Sequence, residues 1–316
     1  MMKYLVILLS DQSTSFCHYN ASNNHNGDKL IPIETLRNAI KYAFMEDLFI
    51  QFVMPSFALP KEYEDIIAST KAGIIAPAET LVKADVLVVN GIAEYKDIKV
   101  GADISYVLRI DKNGFFQQYK EILKRLTEFH RLNIVFTDTE KFTNKDFDTY
   151  KKVLNEFVDY TKVLILSGKT VQVNLLTDRL VESEMNNCNA GCKTITIAPD
   201  GQFYICPAFY YASEPAIGNL DDGLMIKNSQ LYKLENAPLC RECDAFQCKR
   251  CIFLNKYLTR EVNIPSKEQC VMAHIERNAS RLLLLGLREH TDYMPEVNIK
   301  ELLYLDPFDN IKNKRL

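Results

Sequence analysis

Eight of the nine cysteines lie between Cys188 and Cys270. They run Cys188-x3-Cys192-x13-Cys206, then Cys240-x2-Cys243-x4-Cys248-x2-Cys251, then Cys270. A segment that gathers eight thiols has little conformational freedom, because ligation shapes the chain as much as packing does. Thiolates at such spacings sequester soft metal, as zinc or as iron–sulfur clusters, and eight of them divide into two four-thiolate sites. Disulfides are the competing use. The only apolar run at the N-terminus, Tyr4 to Leu9, is too short for a membrane span or a secretory signal, and Asp11 follows closely. We therefore expect a cytoplasmic protein with reduced thiols, and metal in place of disulfides.

Two further bounds come from composition. A chain of 316 residues suggests about two domains at roughly 150 residues each. A formal charge of −3 and a pI near 6.0 argue against a nucleic-acid surface, and no stretch is apolar enough for a membrane helix.

Before the cysteine-rich segment, strand and helix patterns alternate. Lys3 to Leu9 is a continuous apolar run of the buried-strand kind. Ile33 to Met45 has helical spacing, with Leu36, Ile40, Ala43 and Phe44 on one face. Leu48 to Met54 reads as a strand stopped by Pro55, and Lys61 to Ser69 as a helix. Gly73 to Ala76, Val86 to Val89 and Tyr106 to Ile110 read as short strands. Phe115 to Phe129 reads as a helix with Phe116, Tyr119, Ile122, Leu123 and Leu126 inward. Leu132 to Phe136 is a strand, Asn144 caps a long helix through Leu164, and Val171 to Leu175 is the next strand. Alternation of this kind predicts a parallel sheet, open or closed into a barrel, with functional groups in loops beyond the carboxyl ends of strands. The first such loop, Ser10 to Asn26, carries Cys17, His18 and His25.

The cysteine order resembles the SPASM domain, the auxiliary-cluster domain of radical SAM peptide-modifying enzymes. Cys192 to Cys206 (CKTITIAPDGQFYIC) is similar to its opening hairpin, in which the turn glycine stands five residues before a ligand cysteine; Gly201 fills that place. SFCHYN near the start and LIPIETLRNAIKYAFMEDLFIQFVMP resemble the narrower family of CXXX repeat peptide maturases, and the likeness runs through most of the chain. It implies an α/β fold: a degenerate partial (β/α) barrel over residues 1–180, a small cysteine-rich SPASM-like α+β domain over 181–289, and a tail over 290–316.

Radical SAM enzymes hold their catalytic cluster with Cys-x3-Cys-x2-Cys in the loop after the first strand. Cys17 matches the last place, after the aromatic Phe16, but the other two fall on Ser10 and Thr14. One thiolate cannot hold a four-iron cluster. The Gly-Gly-Glu segment that follows the second strand in that family, and meets S-adenosylmethionine there, is replaced by Met54-Pro55-Ser56. The expectation is a barrel without its own cluster or S-adenosylmethionine.

The SPASM pattern assigns Cys188, Cys192, Cys206 and Cys251 to one auxiliary [4Fe–4S] cluster, and Cys240, Cys243, Cys248 and Cys270 to the other. The usual middle spacing is Cys-x2-Cys-x5-Cys-x3-Cys, and both later gaps are one residue shorter here. A local alternative groups Cys240, Cys243, Cys248 and Cys251 as one knuckle, leaving Cys188, Cys192, Cys206 and Cys270. Zinc satisfies the same residues at similar spacings, so two zinc ions are the alternative occupants. Four thiolates per site leave no open coordination position, which favours electron relay or structure over Lewis-acid catalysis. Cys17 is outside both sets.

Other residues carry weaker signals. Cys17 and His18 read as a loop remnant or as a peptide contact, and His25 as an exposed turn. His274 either hydrogen-bonds a cluster sulfur or serves packing, with packing as the default. Tyr204, Phe209, Tyr210, Tyr211, Phe246 and Phe253 crowd the cysteines and read chiefly as core. Asp221, Asp222, Glu235 and Glu242 show no paired spacing for acid–base work. The helix after Cys270 is amphipathic and predicts a docking helix.

The resemblance thus implies a peptide-maturation protein that acts on, or escorts, a ribosomal precursor with Cys-x-x-x repeats, with a true radical SAM enzyme as a candidate partner. A zinc-stabilised, non-catalytic peptide- or protein-binding module is the alternative. An active radical enzyme with unusual ligands is a third reading; it requires reductive cleavage of S-adenosylmethionine.

Overall fold

The first strand, β1 (Tyr4–Leu8), is buried over its last four residues because it has parallel neighbours on both sides. The computed structural model describes residues 2–19, 29–80, 83–185 and 188–309. From β1 the chain enters α1 (Ile33–Met45), β2 (Phe49–Val53), α2 (Lys61–Ser69), β3 (Ala72–Pro77) and β4 (Val86–Asn90). Each agrees with its sequence pattern to within one or two residues. The inward face of α1 is Leu36, Ala39 and Ala43, whereas Phe44 is 64% exposed, so the apolar stripe is narrower than expected.

Next come α3 (Gly91–Asp97), which had no periodic signal, β5 (Ser105–Ile110), α4 (Lys112–Arg125), β6 (Arg131–Phe136), α5 (Asn144–Leu166) and the single turn α6 (Asp178–Val181). Two helix starts correct the sequence reading. Asp111 accepts a hydrogen bond from the Gly114 N–H (2.7 Å) and so begins α4 three residues before Phe115. Phe115 is its fully buried aromatic, while Phe116 and Tyr119 are only half-buried. The cap of α5 is Thr143, in a reciprocal box with Asp146, and Asn144 is the first helical residue. Val171 to Leu175 forms no strand beyond a single bridge between Leu132 and Val173. The Asn174 carboxamide takes over the ladder there, accepting from the Ile134 N–H (2.8 Å) and donating to its carbonyl (2.9 Å).

The cysteine-rich part contributes β7 (Thr194–Ile197), β8 (Phe203–Tyr204), α7 (Pro207–Tyr211), β9 (Gly218–Asn219), β10 (Gly223–Leu224), α8 (Ile252–Thr259) and α9 (Lys267–Arg288). The expected hairpin is β7–β8, antiparallel, with Gly201 in its turn at φ 80°, where a side chain would be strained.

The chain divides into two compact units, and both interleave the sequence on either side of residue 180. Unit 1 comprises Met1–Val89 and Cys188–Ala237. Its strands follow the order β4-β3-β2-β1-β7-β8, parallel except for the β7–β8 hairpin. Leu5, Ile7, Phe52, Ile197 and Phe203 centre its core. Unit 2 comprises Asn90–Asn187 and Pro238–Leu316. Here β5 and β6 pair in parallel, and α9 docks along α5, as its amphipathic pattern predicted.

Candidate metal centres

In unit 2, two tight turns carry three cysteines. The Cys243 N–H donates to the Cys240 carbonyl (3.1 Å) and the Cys248 N–H to the Ala245 carbonyl (2.9 Å). Each turn then aims a later N–H at sulfur: Ala245 toward Cys243 Sγ (3.5 Å) and Arg250 toward Cys248 Sγ (3.4 Å). Arg250 reaches this position with φ 41°. Donors so aimed favour the thiolate over the thiol. Cys270 lies in the first turn of α9, after a Ser266–Gln269 capping box, where the helix dipole favours negative charge.

These four thiols share one electrostatic field. Burial pushes Cys240 up to about 11, although the Arg250 charge opposes it, and pushes Cys248 up to about 12. Burial also raises Cys243 and Cys270; for Cys270 the next causes are the charges of Cys248, Cys240 and Cys243. Thiols that oppose one another's ionisation stay protonated unless a cation offsets the charge of the thiolates. A cationic metal core supplies that charge, and its attraction for each thiolate outweighs the repulsion between them. Four thiols are, by chemistry, the donor set that a thiolate-bound metal centre takes. Cys270 lies within the electrostatic reach of Cys240, Cys243 and Cys248, and Cys251 is the N-cap of α8 in the same unit.

Charged residues fasten this region. Asp244, between the paired cysteines, accepts two hydrogen bonds from Arg277 of α9 (2.9 and 2.7 Å), and Arg179 of α6 lies 3.4 Å away. Both arginines are buried, and Arg179 also stacks on Phe246 at 4.3 Å. Burial works against the Asp244 charge, but Arg277 and Arg179 outweigh it and hold the carboxyl below its ordinary range. His274, for which packing was the default, touches sulfur: Nε2 lies 3.4 Å from Cys243 Sγ. Its Nδ1 meets the Leu305 carbonyl at 2.5 Å, so Nδ1 carries the proton of the neutral ring, and burial keeps the ring neutral.

Unit 1 holds Cys17, Cys188, Cys192 and Cys206. The loop that follows β1 is closed by its own hydroxyls. Ser10 and Thr14, at the places of the missing thiols, are buried. Ser10 Oγ accepts from the Gln12 N–H (3.1 Å), Ser13 Oγ donates to the Val53 carbonyl (2.8 Å), and the Thr14 N–H donates to the Met54 carbonyl (2.9 Å). The loop thus pairs with the Met54-Pro55-Ser56 segment, joining the two places where the sequence departs from the radical SAM pattern. These residues do not fit a catalytic four-iron cluster. His25 and the loop beyond Tyr19 lie outside the described residues, as do residues 310–316 of the tail.

Cys206 is the N-cap of α7. Burial pushes its thiol well above the ordinary range, the Cys188 charge adds to that, and the Ala208 and Phe209 N–H groups oppose it, with Cys17 a further raising charge. Cys188 and Cys192 flank a turn in which Gly191, at φ 75°, lies against the Tyr232 ring; an added Cβ would come within 2.6 Å of that ring. No disulfide joins any of the nine cysteines. Among the described residues, no group of three or more His, Cys, Asp or Glu is disposed to hold a single metal ion, so the gathering is one of neighbourhood and charge without formed coordination. Sequence reasoning missed the Asp244–Arg277–Arg179 clamp, because its members lie far apart in the chain. It also missed the tie between the loop that carries Cys17 and the tyrosines of α7.

No protein-family model matches the chain, and no curated protein matches it. Among solved structures, a hexahistidine-tagged anSMEcpe with bound AdoMet matches at a TM-score of 0.64 and 16% identity, over 93% of this chain and 97% of that one. "Native anSMEcpe with bound AdoMet and Cp18Cys peptide" matches at 0.63 and 16%, over 91% and 99%. "Native anSMEcpe with bound AdoMet and Kp18Cys peptide" matches at 0.62 and 16%, over 90% and 99%. The likeness is one of fold: the chain shares the α/β, radical SAM-like partial-barrel architecture of these AdoMet-bound proteins across nearly its whole length.

Proposed function

We propose that this chain is a peptide-maturation protein whose cysteine-rich segment holds two auxiliary [4Fe–4S] clusters, and whose barrel presents a peptide without making adenosyl radicals. The observation that carries the reading is the pair of tight turns in unit 2 that aim N–H groups at Cys243 and Cys248 sulfur, with His274 Nε2 3.4 Å from Cys243 Sγ and Cys270 in the first turn of the same helix as His274. The second set takes Cys188, Cys192 and Cys206, completed in the SPASM pattern by Cys251. When bound, such clusters supply one-electron relay and fold stability. The chain's own residues tune and shield them: N–H groups and His274 face sulfur, and Phe246, stacked on Arg179, lies two residues from Cys248.

Peptide handling is supported by the shared fold with structures that carry AdoMet and a Cp18Cys or Kp18Cys peptide. The substrate we infer is a ribosomal precursor with Cys-x-x-x repeats, handled together with a radical SAM enzyme in the cytoplasm. Among the described residues no helix is long and apolar enough to cross a membrane. The domain division we infer is 1–180, 181–289 and 290–316. Anaerobic purification followed by iron, acid-labile sulfide and zinc assays tests the metal. About eight irons with matching sulfide are expected. Stoichiometric zinc in a colourless protein would leave the binding-module alternative. Titration with a synthetic Cys-x-x-x repeat peptide tests the substrate, and no binding by the iron-loaded protein would refute it.

A further inference from the structure

Cys17 belongs to the loop after β1, far in sequence from the cysteine-rich segment, yet the loop is clasped to the helix that Cys206 begins. On one side of Cys17, the Tyr210 hydroxyl donates to Asp11 Oδ1 (2.5 Å) and the Tyr211 hydroxyl to the Ser13 carbonyl (3.2 Å). On the other side, the Tyr19 ring stacks on Tyr211 with centroids 5.6 Å apart, and Phe16 packs edge-on against Tyr19. Tyr210 and Tyr211 end α7, and Cys206 caps its start. Five residues of helix span only about 7.5 Å. Both flanks of Cys17 are therefore tied to a short rod whose other end is Cys206. The Cys188–Cys192 turn directly precedes β7, and the Tyr232 ring lies against Gly191 of that turn. The antiparallel β7–β8 register, with Thr196 opposite Tyr204, sets that turn alongside Cys206, which follows β8.

We propose that Cys17 is a metal ligand, and that Cys17, Cys188, Cys192 and Cys206 of unit 1 hold one [4Fe–4S] cluster, with Cys17 in the place that the SPASM pattern gives to Cys251. All four thiols lie in one compact unit, and four is the number a cubane takes. On this assignment the last cysteine of the ancestral radical-cluster loop has not become idle but has changed partners. The inference rests on the iron–sulfur reading above and goes beyond it in the ligand set.

The test uses the full-length chain, purified without oxygen, as wild type, Cys17→Ser and Cys251→Ser. Cys17→Ser should lose about half of the iron and sulfide, because one of two four-iron clusters lacks a ligand, and Cys251→Ser should keep both. The reverse pattern, or full iron in Cys17→Ser, overturns the assignment. A second measurement does not depend on the variants folding. In wild type, iodoacetamide should leave Cys17 unmodified while iron is bound and alkylate it after chelation, as read by mass spectrometry. Equal modification before and after overturns the assignment. In Cys17→Ser the thiols Cys240, Cys243, Cys248 and Cys270 should stay protected, which separates loss of one cluster from unfolding. A wild type without iron sinks the cluster reading and this inference together; an iron-loaded wild type indifferent to Cys17 sinks this inference alone.

Discussion

The two thiol gatherings are built in opposite ways. In unit 2, three cysteines come from one short run, Cys240 to Cys248, and the fourth from the first turn of α9. Their spacing is set by tight backbone turns and secured by the Asp244 clamp. In unit 1 the thiols come from the loop after β1, from the turn before β7 and from the cap of α7, and aromatic rings and hydroxyls hold them together. A local knuckle carries its geometry with it into any fold. An assembled set exists only once the sheet has placed β1 beside β7. The first should therefore resist changes elsewhere in the chain, and the second should be sensitive to every contact that seats the loop.

The largest expected effect separates them directly. Cys270→Ser should cost unit 2 its metal and, with it, stabilisation on the order of 10 kcal/mol where ligation and folding are coupled. Iron would fall by about half, with the early melting transition assigned to unit 2 by hydrogen exchange. A variant that keeps its iron would show that Cys270 is not a ligand. Asp244→Ala comes next. It leaves Arg277 and Arg179 buried without their carboxylate, a change that typically costs roughly 3–5 kcal/mol. Urea unfolding measures it, and a loss below about 1 kcal/mol, the scale of a surface pair, would mean that the clamp does not seat the knuckle.

A smaller change falls on unit 1. Tyr210→Phe removes the hydrogen bond to Asp11 and should cost roughly 1.5–3 kcal/mol. It should also make Cys17 more reactive toward iodoacetamide, whereas the thiols of unit 2 should not respond. Equal reactivity in both units would erase the contrast between them. The smallest effect is a pH dependence in unit 2. Burial raises the Glu276 carboxyl to about 7, although the hydrogen bond from Tyr150 (2.7 Å) works against the rise. The folded chain then holds a proton that the unfolded chain releases near 4.5, so this contribution to stability is complete below that pH and is lost as pH rises toward 7. Glu276→Gln should flatten the stability profile between those values, and an unchanged slope would refute the assignment to Glu276.

Much of the architecture was legible because it is periodic and local. The strands β1 and β2 announced themselves as apolar runs, α1 by its helical spacing, and the β7–β8 turn by Pro199-Asp200-Gly201. The misreadings also have local causes. Asn174 imitates a strand residue with its side chain, α3 is too short to display a period, and Thr143 competes with Asn144 for the same cap. For His274, the choice between sulfur and core depended on which turn of α9 faces the knuckle, and composition does not encode that.

By itself, the sequence determined the donor chemistry: eight clustered thiols, their CxxC turns, and a first loop with hydroxyls where a radical cluster needs sulfur. Residue identity and short spacing suffice for that, because side-chain chemistry and tight turns are local properties. Only the tertiary structure decided that His274 faces Cys243, that Asp244 lies between two buried arginines, and that the loop of Cys17 is tied to the tyrosines of α7. Those outcomes depend on contacts between segments remote in the chain. Their partners are chosen by sheet order and helix docking, which no short stretch of sequence contains.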